Sequence, residues 1–294
     1  MGKADGYVSN MTPETETNGA ICAAKEDALV RWLREQGSIA IGYSGGVDSA
    51  YLAAVAVDAL GGERVLALVG RSASYPESQW SAARSVAAQI GLPLVEIDTD
   101  ELNDPRYVAN PNNRCYFCKT ELWSRLVPAA RARGISVVVD GTNADDLLGH
   151  RPGAKAAHEH GVLSPLALMR FAKQDIRERS RLRGLPTWQQ PSSPCLSSRI
   201  PYGTPVTIGR LERVERAEAA LRELGILGDL RVRHFGDVAR IELAGNELAE
   251  WSRSAMRGKL EAAVVAAGYS RVEIDPRGFR SGSLNESPSA SREP

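Results

Sequence analysis

No apolar stretch of this 294-residue chain approaches the roughly 20 residues that cross a bilayer, and the N-terminus lacks the charged-then-apolar order of a secretory signal. Neither a membrane span nor export is expected, and the cytoplasm is the expected compartment. An excess of one charge is missing too: Lys plus Arg and Asp plus Glu number 36 each. Without an overall positive field to draw nucleic acid or an anionic membrane, the expected partner is small or locally bound, and stable nucleic-acid binding is not expected. Cysteine is scarce, four in all, too few for a disulfide framework in a chain this long. There is no internal repeat and no heptad run, so a solenoid or coiled coil is excluded.

What is present is a 43% hydrophobic composition, enough for one α/β core and a smaller second domain. Residues 1–18 and 282–294 are polar without apolar period and read as a disordered leader and tail. Ile21, Leu29, Trp32 and Leu33 fall at helical spacing from Ala20 to Gln36, with Gly37 as a stop. Four short apolar runs follow, Ser38–Tyr43, Val65–Gly70, Pro93–Ile97 and Ile135–Asp140, separated by helical segments. That alternation predicts a parallel sheet covered on both faces, which binds ligands at its strand C-termini. A Pro- and Ser-rich stretch around Trp188–Pro194 marks a boundary between domains at 19–190 and 191–281. Beyond it, a helix from Ile208 to Leu224 and runs at Arg231–His234 and Val238–Leu243 predict a hairpin; a helix over Asn246–Ala267 and a strand at Arg271–Ile274 complete a small α+β domain.

Ser44-Gly45-Gly46-Val47-Asp48-Ser49 follows a buried strand and opens a helix near Ala50. Glycines admit a phosphate close to the backbone, the helix N-terminus offers free amides, and Ser44 and Ser49 add hydroxyls. Asp48 beside phosphates implies an intervening Mg²⁺. The alternative is a plain strand-to-helix turn. Gly141-Thr142-Asn143-Ala144-Asp145-Asp146 ends another predicted strand; its carboxylates suit a metal or a ribose, with a helix cap as the alternative. Arg71, after the second strand, is a weaker nucleotide candidate. Cys115 and Cys118 form a Cys-x-x-Cys pair, and Cys195 lies 77 positions later. Three thiolates can hold a metal or cluster and leave one position open; a redox pair is the alternative. Cys22 reads as a buried small hydrophobe.

The first loop lacks the Gly-Lys-Ser/Thr of a Walker motif. It resembles the pyrophosphate-loop superfamily of ATP α-hydrolases, in which the loop holds the leaving pyrophosphate while a substrate is joined to AMP. Over residues 38 to 285 the chain resembles, more narrowly, the LarE family of ATP-dependent sulfur-insertion enzymes. The resemblance rests on Ser44–Ser49, Arg114–Leu122, Gly141–Asp146, Arg151-Pro152-Gly153, Pro194–Thr204 and Gly278–Asn285. It implies a pyrophosphate-loop domain with a C-terminal substrate domain, assembled as a homo-oligomer. It also implies synthesis of the nickel-pincer nucleotide of lactate racemase. A carboxylate of pyridinium-3,5-biscarboxylic acid mononucleotide is adenylylated, and sulfur displaces AMP to leave a thiocarboxylate.

Ser44, Gly45, Gly46, Asp48, Ser49, Gly141, Thr142, Asn143 and Asp145 then hold ATP and Mg²⁺. Ser198, Arg199, Arg231 and Arg233 hold the substrate, the arginines suiting a phosphate by their bidentate fork; otherwise Arg231 and Arg233 occupy the solvent face of a strand. Family members with one cysteine, at the position of Cys195, give up its sulfur. Those with three resemble four-iron four-sulfur proteins whose open iron carries sulfur, and Cys115, Cys118 and Cys195 favour that 4Fe-4S version here, supplied by sulfide or a sulfur donor. The chain departs from the family at Gly149-His150, where an Asp-Tyr pair is common, and at Leu168 or Met169, where an acidic residue is expected. The rival readings are a tRNA thiolase, a non-catalytic iron–sulfur or nucleotide-binding regulator, and an ammonia-using ligase.

Overall fold

A computed structural model of the chain describes residues 13–148, 152–191, 194–280 and 283–285. Residues 1–12 and 286–294, and Gly149, His150, Arg151, Ser281 and Gly282 among the positions discussed above, lie outside the described residues. Helix α1 spans Pro13–Gln36, so the helix begins inside the stretch read as a leader. There follow β1 (Ile39–Gly42), α2 (Val47–Leu60), β2 (Val65–Arg71), α3 (Glu77–Gln89), β3 (Leu94–Asp98), α4 (Pro105–Val108), α5 (Arg114–Arg131) and β4 (Val138–Val139). The four strands are parallel, in the order β3-β2-β1-β4. The architecture is α/β, as the alternation of apolar runs and helices predicts.

Alternation along the strands sorts the core into two layers. Ile39, Ile41, Val65, Ala67 and Val69 pack with α1, α2 and α3 on one face; Ala40, Leu68 and Val138 pack with α5 on the other. α2 is apolar nearly all round, which explains why ten of its fourteen residues are buried between sheet and outer helices. The fourth strand is shorter than the run Ile135–Asp140 suggests. It lies at the sheet edge, where, among the described residues, only an isolated bridge to Leu163 continues the pairing. The chain passes from β1 outward to β3 and returns to β1's other side as β4. That reversal opens the crevice at the strand C-termini in which such sheets bind ligands.

Helices α6 (Pro152–Glu159), α7 (Pro165–Leu168) and α8 (Lys173–Leu182) complete this half. No helix among the described residues is long and apolar enough to cross a membrane. α8 is fastened to α1 and α2 by Glu26, only 7% exposed. Its carboxylate accepts from Arg179 Nε at 2.9 Å and Nη2 at 2.7 Å, from Arg183 Nη2 at 2.8 Å and from Tyr51 Oη at 2.7 Å.

The C-terminal half holds α9 (Ile208–Glu223), β5 (Leu230–Phe235), β6 (Val238–Leu243), α10 (Gly245–Trp251), α11 (Ser254–Ala266) and β7 (Arg271–Ile274). β5 and β6 form the expected antiparallel hairpin, and β7 joins β6 in parallel. The single helix expected over Asn246–Ala267 is broken at Ser252–Arg253, where Arg253 is extended. The reason is geometric. At about 100° per residue, Trp251 and Leu260 would lie on opposite sides of a straight helix, yet both enter one core with Val264.

Burial alone would raise the Glu26 carboxyl, but its bonds to Arg179, Arg183 and Tyr51 hold it down at about 2, against 4.5 ordinarily. The stabilisation is therefore full above about pH 4.5 and is lost as pH falls toward 2. Glu26→Gln is expected to cost about 3 kcal/mol at pH 7, since it leaves two half-buried guanidinium groups poorly paired. Denaturant titrations at pH 7 and pH 3 should show the deficit shrinking in acid; an equal deficit at both would contradict this origin.

Candidate active site

The turn from β1 into α2 is built for an anion. Gly45 has φ +67°, and a Cβ there would stand 2.4 Å from Ala83 Cβ and 2.6 Å from its Cα, so no other residue fits. Gly46 caps α2 with no side chain, which leaves the first amides of that helix open to a ligand. Ser44 Oγ and Ser49 Oγ lie 3.1 Å apart, and Ser49 Oγ donates to Gly46 O at 3.2 Å. The hydroxyls are thus set in place before a ligand arrives.

The loop after β4 meets this turn backbone to backbone. A Cβ on Gly141 would stand 2.9 Å from Ser49 N, so glycine is what lets the two loops touch. Asp140 Oδ1 and Oδ2 accept from Thr142 N at 3.0 Å and Thr142 Oγ1 at 2.8 Å, and Oδ1 also from Ser164 Oγ at 2.7 Å. Asn143 Nδ2 donates to Asp48 Oδ1 at 3.3 Å, which ties the two motifs directly. Asp48 also pairs with Lys173 Nζ from the start of α8. No local motif marks Lys173, and its partner lies 125 positions away in sequence.

Two of the expected side chains point away from the crevice. Asp145 turns to α8, accepting from Lys173 N at 2.7 Å, while Asp140 and Asp146 line the cavity in its stead. Arg71 leaves the crevice for the outer surface, where its guanidinium lies 4.8 Å from the Trp80 ring centre and 3.5 Å from Glu96.

Cys115 and Cys118 sit in the first turns of α5, three residues apart and so on one helix face. Cys195 precedes the short 3₁₀ turn Leu196–Arg199. A buried clamp brings the two segments together. Arg114, 4% exposed, donates to Ser197 O at 3.0 Å and to Asn110 Oδ1, and lies over Tyr202. Asn110, fully buried at φ 55°, donates through Nδ2 to Pro201 O and Thr204 O, both at 2.8 Å. Tyr107 Oη and Ser197 Oγ share a hydrogen at 2.6 Å. Leu196 N donates to Ser74 O at 2.8 Å, which docks the turn on the loop after β2.

The three thiols line one cavity with the phosphate loop. Burial, the Glu101 carboxylate and Cys195 together push the Cys118 thiol well above its ordinary range. Cys115 is open to solvent on one side. The protein packed around its sulfur and the nearby Cys195 still raise it, opposed by Arg114 and Lys119. Thiols so placed gain most from a bound cation, which favours the thiolate. Among the described residues no three Cys, His, Asp or Glu side chains converge on a point as a single metal ion requires. A cluster is wider than an ion and takes its ligands at its corners, so three thiols facing one cavity suit its donor chemistry.

Of the residues expected at the substrate, only Arg233 lines the cavity. It donates to Glu242 Oε2 at 2.7 Å, Ser198 O at 3.0 Å and Ser283 Oγ at 2.8 Å, while its Nε is buried without a hydrogen-bond partner among the described residues. Arg199 is instead a strut. Its guanidinium grips Glu218 at 2.8 and 2.9 Å and reaches Pro194 O at 2.6 Å and Ser198 Oγ at 3.0 Å. Arg231 is buried, donates to Leu230 O at 2.6 Å and lies over Phe279. The solvent-face alternative for Arg231 and Arg233 is excluded, because both are buried on β5. Burial, Arg199 and Arg233 lower Arg231 to about 10, opposed by Glu218, so this wall favours a further negative charge. Arg240, Asp275, Arg277 and Arg280 extend it.

The cavity measures 1510 Å³, above the roughly 300–1,000 Å³ of a one-ligand site, and therefore has room for two small molecules. The NAD synthase family model matches residues 22–125. An uncharacterized protein of Synechocystis sp. is 42% identical over 262 residues, 89% of this chain and 97% of that protein. The pyridinium-3,5-bisthiocarboxylic acid mononucleotide synthase of Lactiplantibacillus plantarum is 33% identical over 267 residues, 91% of this chain and 96% of the synthase. An uncharacterized protein of Methanocaldococcus jannaschii is 31% identical over 207 residues, 70% of this chain and 77% of that protein.

Asn110→Ala removes the bonds that hold Pro201 and Thr204 and puts an ordinary side chain at a left-handed φ, at a cost of about 2–3 kcal/mol. Hydrogen exchange should quicken at Ile200–Thr204 and stay unchanged at Ser44–Ser49. Equal protection in both proteins would remove Asn110 from the clamp.

Proposed function

The chain belongs to the LarE family, that of the pyridinium-3,5-bisthiocarboxylic acid mononucleotide synthase, and from that premise we propose that it is an adenylylating sulfur transferase acting on pyridinium-3,5-biscarboxylic acid mononucleotide. The observation that carries the proposal is one continuous cavity joining the Ser44–Ser49 loop, the thiols of Cys115, Cys118 and Cys195, and the arginine wall of the C-terminal domain.

In this reading ATP lies with its β and γ phosphates on the open amides of α2 and the hydroxyls of Ser44 and Ser49. A substrate carboxylate oxygen attacks the α phosphorus and pyrophosphate leaves, so the poor acyl donor becomes an acyl adenylate. Mg²⁺, for which Asp48 and Asp146 are suitable oxygen ligands, would offset the phosphate charge. Lys173, beside Asp48, adds a further cation. Arg233, backed by Arg231 and Arg199, provides positive charge for the phosphate of the mononucleotide. A sulfur nucleophile then attacks the activated carbonyl and AMP departs, leaving the thiocarboxylate.

Cys115, Cys118 and Cys195 would hold a four-iron cluster with one iron open, and such a cluster supplies sulfide as the nucleophile. The alternative within the same chemistry is sacrifice of the Cys195 sulfur. Assembly into a homo-oligomer is supported by Leu147, Leu148 and Leu168, which are 59%, 87% and 60% exposed on adjoining segments. The cytoplasm is the compartment proposed for this ATP-dependent chemistry.

Anaerobic protein assayed for iron and acid-labile sulfide, then weighed intact after turnover with ATP and the biscarboxylate, tests the reading. About four irons per chain, an unchanged mass, a thiocarboxylate product, and loss of iron and activity together in Cys118→Ala are expected. Absence of iron with a mass loss of one H₂S at Cys195 would assign the sulfur to that residue. Absence of thiocarboxylate, with tight and salt-sensitive tRNA binding, would overturn the substrate in favour of a tRNA thiolase.

A further inference from the structure

Glu101 opens the short 3₁₀ turn Glu101–Asn103 after β3. It borders the cavity and is only 2% exposed, yet the adenylylation scheme gives it no task. A carboxyl group taken out of water must have its oxygens met by donors. Here Oε1 accepts from Ser74 Oγ and Oε2 from Thr99 Oγ1, each at 2.9 Å. Thr99 follows β3, and Ser74 lies in the loop between β2 and α3, so one side chain joins the two segments. Ser74 is itself buried. Its hydroxyl gives its one proton to Glu101 and therefore accepts from Ser72 Oγ, at 2.8 Å.

The loop held in this way carries the seat of the cysteine turn. Ser74 O accepts from Leu196 N at 2.8 Å, and Leu196 follows Cys195 directly. Glu101 thus reaches the turn through a single residue, whose hydroxyl meets the carboxylate and whose carbonyl meets the turn. Leu102, next to Glu101, packs against the apolar cluster of Tyr107 and Leu196, as does Cys118. The phosphate loop has its own bond to the β2–α3 loop, from Tyr75 Oη to Ser44 O at 2.8 Å. The nucleotide end of the site is therefore held independently of Glu101.

We propose that Glu101 is a positioning residue for the sulfur step, holding the Cys195 turn against the cavity wall beside Cys118 by way of Ser74. The assignment rests on the sulfur-transfer reading above and deepens it. With the turn loosened, adenylylation proceeds but sulfur is misplaced. Water then adds to the activated carbonyl, AMP leaves with the bonding pair, and the starting carboxylate returns while the protons of the water pass to solvent.

Glu101→Ala, Glu101→Gln and Ser74→Ala in the full chain test the assignment. Two quantities are measured: hydrogen exchange at the Leu196 amide without substrate, and pyrophosphate released per thiocarboxylate formed with ATP and the biscarboxylate. Glu101→Ala and Ser74→Ala are expected to raise both about tenfold, with exchange unchanged at Ala40, whose amide is bonded to Val137 O in the sheet. Glutamine still accepts from Ser74 and donates to Thr99 Oγ1, whose proton turns to Arg71 O at 3.2 Å. Glu101→Gln is therefore expected within about twofold of the unaltered protein. Exchange that quickens equally at Ala40 marks a general loss of stability and overturns the assignment. An unchanged ratio, or a Glu101→Gln protein as impaired as Glu101→Ala, overturns it too. If the unaltered protein releases no pyrophosphate with this substrate, the sulfur-transfer reading falls and Leu196 exchange still decides the positioning. Should Glu101→Ala fail to fold, Ser74→Ala, which loses a single hydroxyl, is read in its place.

Discussion

Arg114 holds a buried positive charge between two segments that are distant in sequence, donating to Ser197 O on one side and Asn110 Oδ1 on the other. A guanidinium taken out of water must have its donors met, and here the acceptors come from both segments at once. The charge is satisfied only when the turn after Cys195 is seated against the start of α5. Asn110 and Tyr107 reinforce the same contact. Because Cys115 follows Arg114 directly, the group that joins the segments also brings the thiols to one cavity. The continuity of the cavity depends on this clamp.

The chain is neutral overall, yet its C-terminal half concentrates charge internally. Arg199 is locked on Glu218 and Arg233 on Glu242, each at a side-chain exposure under 10% for the arginine. Buried pairs of this kind are weak sources of net stability, because desolvation offsets most of their attraction. Their value lies in position. Burial and the nearby Arg199 and Arg233 oppose the charge of Arg231. A chain with no net charge has no long-range field to draw in polyanions, so its arginines act locally, at the cavity wall.

Much of the fold follows from local pattern. Alternating apolar runs and helices gave a parallel sheet, and the hairpin at Val232 and Ile241 was legible from two short runs flanking Gly236 and Asp237. Features that depend on neighbours in space are not legible in that pattern. The helix over Asn246–Ala267 is locally continuous, and only the shared core of Trp251 and Leu260 breaks it. β4 is short because it lies at an edge, which a single run of residues does not reveal. Residue type marks Arg199 as a ligand candidate, but type does not say that its guanidinium meets Glu218 of its own chain.

The sequence by itself determined the chemistry available: a glycine-rich turn between strand and helix, a second Gly-Thr-Asn loop, and three thiols at recognisable spacings. Those depend on residue identity and on contacts within a few positions, so they survive in one dimension. Only the tertiary structure decided which of them share a space. Lys173 reaches Asp48 across 125 positions, Gly141 touches Ser49 through bare backbone, and Trp123 covers Gly42 from the opposite face of the sheet to α2. Such pairings follow from strand order and packing, which arise from the whole chain closing on one core.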